Sequence, residues 1–404
     1  MLTRLACAAT LSCAAASSST WAHDVTADPI PGLPGWRMGA GLALSGLHAS
    51  ETIWPAARYQ GVLGNGVTPA SRRGGTLEHA TLDAGLRLND WLGATATLGK
   101  HGSDRAHFEA ARLETRLPVE ADWRLSLGRD RVPMGDGVTG AGHFDRFALP
   151  PLAKRVMLGD DWIEDGANLR WLAGNPDGLV QVANLGVWRA RTFPGAASGP
   201  AAPAAHVQLD WPDWRLDLFA AQARPQGRGT PVVSSNAVHS HSVPDCARDL
   251  TNLVCFDGRS RLGGFNLTWA PHGSTVQLRL AALLQQEHGR LASTVGWADY
   301  RGQTQAGWLE GIWRATPDWE LASRLERLST RQRLEGPGAT DVAAAAGLVP
   351  NDPVSRAALA LAWTGQTDLR LSLEAGQEQQ ADLRGRWIGL RMVWMPQGWL
   401  TGGW

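Results

Sequence analysis

The chain has 404 residues, 38 Lys+Arg against 38 Asp+Glu, and 44% apolar residues. That charge balance argues against a nucleic-acid partner, which a basic face would advertise. No apolar run after the N-terminal stretch approaches the roughly 18 residues that a membrane helix needs. Tryptophan stands out, at 20 residues against 2 tyrosines. An indole excess suits a membrane interface, where the ring sits at headgroup depth.

Residues 1–22 read as a secretory signal peptide. Arg4 gives the positive start, residues 5–16 the short apolar stretch, and Thr20-Trp21-Ala22 a cleavage site. Residues 23–404 then form the mature chain, with 37 basic residues once Arg4 is removed. Two cysteines remain, Cys246 and Cys255, in an oxidising compartment. Their close spacing favours a local disulfide worth on the order of 2–3 kcal/mol. The competing reading, a metal site with His239 and His241, is the weaker one, and neither a metal nor a cofactor is expected.

From Trp36 onward the chain alternates with period two. The clearest case is 76–89, where Ala80, Leu82, Ala84, Leu86 and Leu88 share one face and His79, Thr81, Asp83, Gly85 and Arg87 the other. The pattern recurs around Leu92, Leu113, Leu125, Leu216, Leu278 and Leu371. A soluble sandwich could use it, but the connections decide otherwise. One set is short, rich in Asn, Asp, Pro and Gly, and flanked by tryptophan, as at Asn89-Asp90-Trp91 and Trp211-Pro212-Asp213-Trp214. The other set is mostly long: 50–76, 132–165, 193–205, 224–260, 288–301 and 333–354. Strict alternation of short and long connections is the signature of a transmembrane antiparallel β-barrel, all-β, with tight periplasmic turns and long outer loops. Sixteen strands are predicted: 35–49, 77–89, 91–100, 105–118, 122–132, 163–173, 178–192, 204–212, 213–223, 260–270, 274–287, 302–315, 318–333, 354–364, 367–378 and 384–395. Trp91, Trp123, Trp214, Trp269 and Trp319 should then lie near one rim. The Ala/Gly/Pro-rich stretches 195–205 and 336–349 read as mobile loop tips.

The third outer loop, 132–165, is long and of mixed character. Phe144, Phe147, Leu149, Met157 and Trp162 sit among Asp136, Asp145, Asp160, Asp161, Glu164 and Asp165. Loops of this length are usually functional or disordered, and the apolar anchors favour an ordered loop folded into the barrel. Gly135-Asp136-Gly137-Val138-Thr139-Gly140 matches a nucleotide-binding glycine pattern, but no βαβ unit surrounds it and it reads as a loop hinge. His143 and Asp145 lack a nucleophile at recognisable spacing, so no enzyme is expected.

On the segment Gly128-Arg129-Asp130-Arg131-Val132-Pro133-Met134-Gly135 and the terminal aromatic Trp404, the chain resembles the outer-membrane porin superfamily, and more loosely its phosphate-selective type. The resemblance implies a channel of the bacterial outer membrane with a constricting loop over 132–165. Two departures matter. The chain has only Lys100 and Lys154 where phosphate-selective relatives line the pore with lysines, and Gly402-Gly403-Trp404 lacks the usual alternation before the final aromatic.

Arg87, Arg112, Arg116, Arg124, Arg215, Arg279 and Arg370 fall on the polar faces of their strands, and basic rings favour anions. Loop acids would face them across the passage, with Asp136, Asp145 and Asp160 foremost. The plainer alternative is that these arginines pair with Asp83, Glu114, Asp217 and Glu374 along the wall. The expected function is passive diffusion of small polar, in particular anionic, solutes. The alternative is a surface receptor or adhesin with a closed lumen. Outer-membrane lipid is the expected surrounding, and a homo-oligomer stays open.

Overall fold

A computed structural model describes residues 30–403 except 51–55, 57, 65–73, 103–104, 120–121, 143, 176, 234–242, 248–249, 367 and 397–399. The expected signal peptide (1–22), His143, His239, His241 and Trp404 lie outside the described residues.

Among the described residues one antiparallel sheet closes on itself as a sixteen-stranded barrel. Its first nine strands are β1 (Gly35–Ala49), β2 (Gly74–Arg87), β3 (Leu92–Lys100), β4 (His107–Arg116), β5 (Asp122–Arg131), β6 (Ile163–Leu172), β7 (Val180–Trp188), β8 (Ala202–Trp211) and β9 (Trp214–Ala223). A short strand, β10 (Arg228–Pro231), pairs with the outer part of β11 (Leu253–Trp269). The barrel continues through β12 (Val276–Ser293), β13 (Gly296–Thr316), β14 (Trp319–Glu335), β15 (Val354–Gln366), β16 (Leu369–Gln380) and β17 (Leu383–Trp394). Closure comes from β1 pairing with β17, Leu42 opposite Trp394 and Ala49 opposite Trp387. The three-residue β18 (Leu400–Gly402) extends that seam, Trp36 opposite Gly402.

Alternation produces the barrel's two faces. Leu82, Leu113, Leu127, Leu185, Leu309, Leu325, Leu359, Leu373 and Leu390 point outward and are exposed, as a lipid-facing band requires. Arg, Glu, Asn and Gln of the intervening positions point inward. Trp91, Trp123, Trp214, Trp269 and Trp319 all flank short turns and therefore share one rim. Trp269 lies opposite Trp214 in the ladder, and their rings sit 6.1 Å apart.

Every predicted strand is present, but the outer end of the barrel differs from expectation. The segment 288–301 is not a loop. β12 and β13 run on as a hairpin with Ser293 opposite Gly296, and β11 begins at Leu253 instead of 260. Above the lipid band both faces of a strand are wet, so the alternation that marks a strand there fades. Nor is 336–349 a mobile tip. It holds helix α3 (Ala339–Ala346), whose Val342, Ala343 and Ala346 pack against Phe256, Leu291 and Tyr300. Consecutive alanines are strong helix formers, and tertiary contact fixes them. In 195–205, Ala196 is buried and β8 already begins at Ala202. Cys246 of the fifth outer loop and Cys255 of β11 form the expected disulfide, beside Leu253.

Candidate functional site

The segment between β5 and β6 leaves the wall at Val132 and runs inside the barrel. It forms two short helices, α1 (Asp136–Thr139) and α2 (Leu152–Met157). The glycine pattern explains the entry. Gly135 has φ +87°, and a Cβ there would lie 2.3 Å from the side chain of Asp217 on β9. A Cβ on Gly137 would lie 1.9 Å from Oδ1 of Asn266 on β11. The glycines thus let the loop backbone press onto the wall.

Beyond α1 the loop divides its anchors between two apolar clusters. Leu152, Val156, Met157 and Trp162 join Phe219, Leu262, Leu283, Trp308 and Leu328 of the wall. Phe147, Ala148 and Leu149 join Leu47, Ile312, Ala322, Ala358 and Trp387. Phe144 is only half-buried and stacks on His79, ring centroids 5.0 Å apart.

Charge locks the same contact. Arg146 Nε donates to Glu320 at 2.8 Å, and Glu310 lies 3.7 Å from its guanidinium. Arg370 also pairs with Glu320. The backbone N–H of Ala148 donates to Glu374 at 2.7 Å, and that of Leu152 to Glu326 at 2.5 Å. Arg324 and Arg356 donate to the carbonyls of Leu149 and Pro150, and Arg391 to that of Asp145. From the first outer loop, Tyr59 donates to Glu378 at 2.9 Å while accepting from Arg356 at 2.6 Å. Burial pushes the Tyr59 hydroxyl well above its ordinary pKa, so it remains a donor.

The opposite wall, β2 to β9, carries a different set. Arg112 pairs with Asp130. Arg124 lies 2.9 Å from Asp122 and 3.6 Å from Glu114. Arg215 lies 3.1 Å from both Asp210 and Asp136. Arg112, Arg116, Arg124 and Arg215 remain partly accessible from the lumen, whereas Arg87 is buried against the carbonyl of Pro31 and 3.5 Å from Glu114.

The sequence-derived residues therefore separate. Arg87, Arg112, Arg116, Arg124 and Arg215 belong to this second wall. Arg279 and Arg370 belong to the first, against Glu310 and Glu320. Of the three foremost loop acids, Asp136 alone meets one of those arginines. Asp145 is buried 3.7 Å from its neighbour Arg146 and 3.9 Å from Arg324. Asp160 takes φ +80° at the end of α2, and its N–H bonds the carbonyl of Lys154. The expected facing of Asp145 and Asp160 to those wall arginines is not what the structure shows: on the first wall the loop presents a base, Arg146, and the barrel presents glutamates. Glu320, Arg324, Glu326, Arg356, Glu378 and Arg391 were missed, although each lies on the polar face of its alternating strand. Extending the parity argument to both charge signs would have found them.

One set of described residues offers converging metal donors: His79 on β2, His101 just after β3, and Glu109 on β4. Nε2 of His79 and of His101 lie 2.6 and 2.9 Å from the same Glu109 oxygen, and the two rings stack at 4.1 Å. Arg131 lies 3.5 Å from the other Glu109 oxygen, so the two imidazoles and the guanidinium share one carboxylate. Three neighbouring strands bring this group together, which no local spacing reveals.

No protein-family model matches the chain, and no curated protein sequence does. Solved structures do match. Outer-membrane expressed OmpT of Vibrio cholerae superposes with a TM-score of 0.57 at 10% identity, over 92% of this chain and 99% of that one. The outer-membrane channel DcaP of Acinetobacter baumannii gives 0.53 at 9% identity, over 90% and 97%. The anion-selective porin from Comamonas acidovorans gives 0.52 at 12% identity, over 89% and 98%. At such identities the likeness is one of fold. The fold is that of an outer-membrane porin β-barrel.

Proposed function

We propose that the protein is a passive diffusion channel for small polar solutes, with 132–165 as the segment that narrows it. The observation that carries this reading is the asymmetry of the lumen. The loop is packed and bonded mainly to β11–β17, touching β9 at Asp217 and Phe219, and the rest of the wall facing it presents accessible charged side chains. Solutes pass along Arg112, Arg116, Arg124 and Arg215, with Asp122, Asp130, Asp136 and Asp210 interleaved. Such mixed lining orients dipolar solutes and gives weak ion selectivity. We assign the preference to anions, because Glu114 of this wall is buried behind Arg87 and Arg124. The phosphate-selective type is not assigned: of the two lysines, Lys154 is buried against Asp161 at 2.7 Å. No catalytic role is proposed. OmpT of Vibrio cholerae has been solved in a trimer form, and self-association of this chain is proposed on that likeness.

Planar-bilayer recording of the full-length folded protein tests the reading. Discrete ohmic steps with a modest anion preference are expected. A correctly folded barrel that gives no conductance steps would replace this reading with the closed receptor or adhesin.

A further inference from the structure

The outer face of β11–β14 carries a feature that the pore does not use. Two ladder rows there are basic. In the first, Arg261 lies opposite Gln286, Gln286 opposite Gln303, and Gln303 opposite Arg331. In the second, Arg259 lies opposite His288, His288 opposite Arg301, and Arg301 opposite Arg333. All of these share strand parity with the lipid-facing Leu280, Leu284, Leu309 and Leu325, so they point out of the barrel. With Arg224 they border a surface cavity of about 900 Å³ floored by Gly258, Gly289 and Gly302.

Neither row contains an outward carboxylate. Glu287 points inward to Arg228, and Glu335 pairs with Arg333 at the edge. Among the described residues, Arg224, Arg259, Arg301 and Arg331 have no acidic partner. Arg224, Arg259, Arg261, Arg301 and Arg331 thus gather like charges on one face, below a row that holds Asp257, Asp299 and Glu335, and such a cluster suits anions.

Height in the membrane identifies the anion. Arg261 lies eight residues above Trp269 of the lower tryptophan rim. At about 3.3 Å per residue and a strand tilt near 40°, that is roughly 20 Å, and Arg259 sits at about 25 Å. The apolar band of such a barrel is about 25 Å tall. The two rows therefore lie where the hydrocarbon ends on the long-loop side, at the headgroups of the outer leaflet. Guanidinium groups bind phosphate oxygens in bidentate fashion, and the cavity gives a headgroup room between them. We propose that this face is a binding site for phosphate-bearing lipid headgroups of the outer leaflet.

The test uses folded, full-length protein in neutral detergent. It is titrated with a diphosphorylated glycolipid (lipid A) and with the same lipid stripped of phosphate, and bound lipid is counted by native mass spectrometry. The wild type should retain the phosphorylated lipid. The variant combining Arg259→Gln, Arg261→Gln, Arg301→Gln and Arg331→Gln should bind it at least tenfold more weakly, with barrel mobility on unheated gels confirming its fold. The stripped lipid should bind both proteins equally and weakly, and millimolar inorganic phosphate should not displace the phosphorylated one. Equal binding by wild type and variant, or indifference to phosphate removal, would overturn the proposal. Displacement by inorganic phosphate would make this a site for a soluble anion instead. Efficient cross-linking of Gln303→Cys to a second barrel would make the face an interface between copies.

Discussion

The two walls of the lumen use the same residue types for opposite ends. On β13–β16 the ionic groups are sealed: Arg146, Arg324, Glu326, Arg356 and Glu378 are 0–1% exposed. On β4–β9 their counterparts stay wet, with Arg112 and Arg124 at 16–17% and Arg215 at 42%. Sealed pairs sit in low dielectric, where removing one partner strands the other. Wet pairs are screened by salt and contribute little to stability, but they meet whatever passes. A charged residue on the inner face of a barrel is therefore not a pore residue by its position alone. The loop decides, by covering one wall and leaving the other bare.

The largest effect should come from removing the cover. Deletion of 136–162 exposes the sealed wall, and single-channel conductance should rise at least about twofold while the barrel still assembles. Unchanged conductance in an assembled barrel would mean that the loop does not narrow the path.

A finer cut breaks the seal and leaves the loop in place. Arg146→Met removes the base that joins Asp145, Glu310 and Glu320, and losing one partner of such a buried set costs about 3–5 kcal/mol. Because Arg370 and Arg314 remain near Glu320, the lower end of that range is expected. The loss should appear as a lower thermal transition of the folded band and as noisier open-channel current. A variant as quiet and as stable as the wild type would show that the apolar clusters alone hold the loop.

This ion-pair lock was the least legible part of the sequence. The strands were readable because Leu82, Leu98, Leu113 and their like recur at period two wherever lipid touches one face. Arg146 and Glu320, however, are 174 residues apart, and their meeting depends on how deep the loop descends. Counting acids in 132–165 suggested an anionic loop facing a cationic wall. The contacts run the other way on the covered side because the loop's carbonyls and N–H groups also need partners, and wall arginines and glutamates supply them. The apolar anchors were legible individually, as Phe147, Leu149, Met157 and Trp162 are all buried. Which wall they would choose was not, since both walls present similar polar alternation.

On the open wall, substitutions should leave stability nearly untouched and change selectivity. Arg112→Ala or Arg124→Ala should move the reversal potential in a salt gradient toward cations, by roughly a factor of two in permeability ratio at low salt and less at high salt. The melting behaviour should stay within about 1 kcal/mol of wild type, as expected for exposed pairs. A large loss of stability with unchanged selectivity would erase the distinction between the walls.

The smallest effect concerns the one contact where a loop acid faces a wall arginine. Partial desolvation inside the barrel, and next the Asp217 carboxylate, push the Asp136 carboxyl up, while Arg215 opposes the shift. Asp136 therefore takes up a proton at a higher pH than an ordinary aspartate does. Once it is neutral, Arg215 keeps its pairing with Asp210 at 3.1 Å, and the passage gains one net positive charge. Anion preference should accordingly rise as pH falls from 7 toward 4.5. Asp136→Asn should show the higher preference already at pH 7 and lose this part of the pH dependence. The change stays modest because both side chains are over 40% exposed and lumenal salt screens them. Reversal potentials measured at both pH values, in wild type and Asp136→Asn, decide the matter. Parallel pH curves for the two proteins would assign the titration to another group and leave Asp136 a structural partner of Arg215.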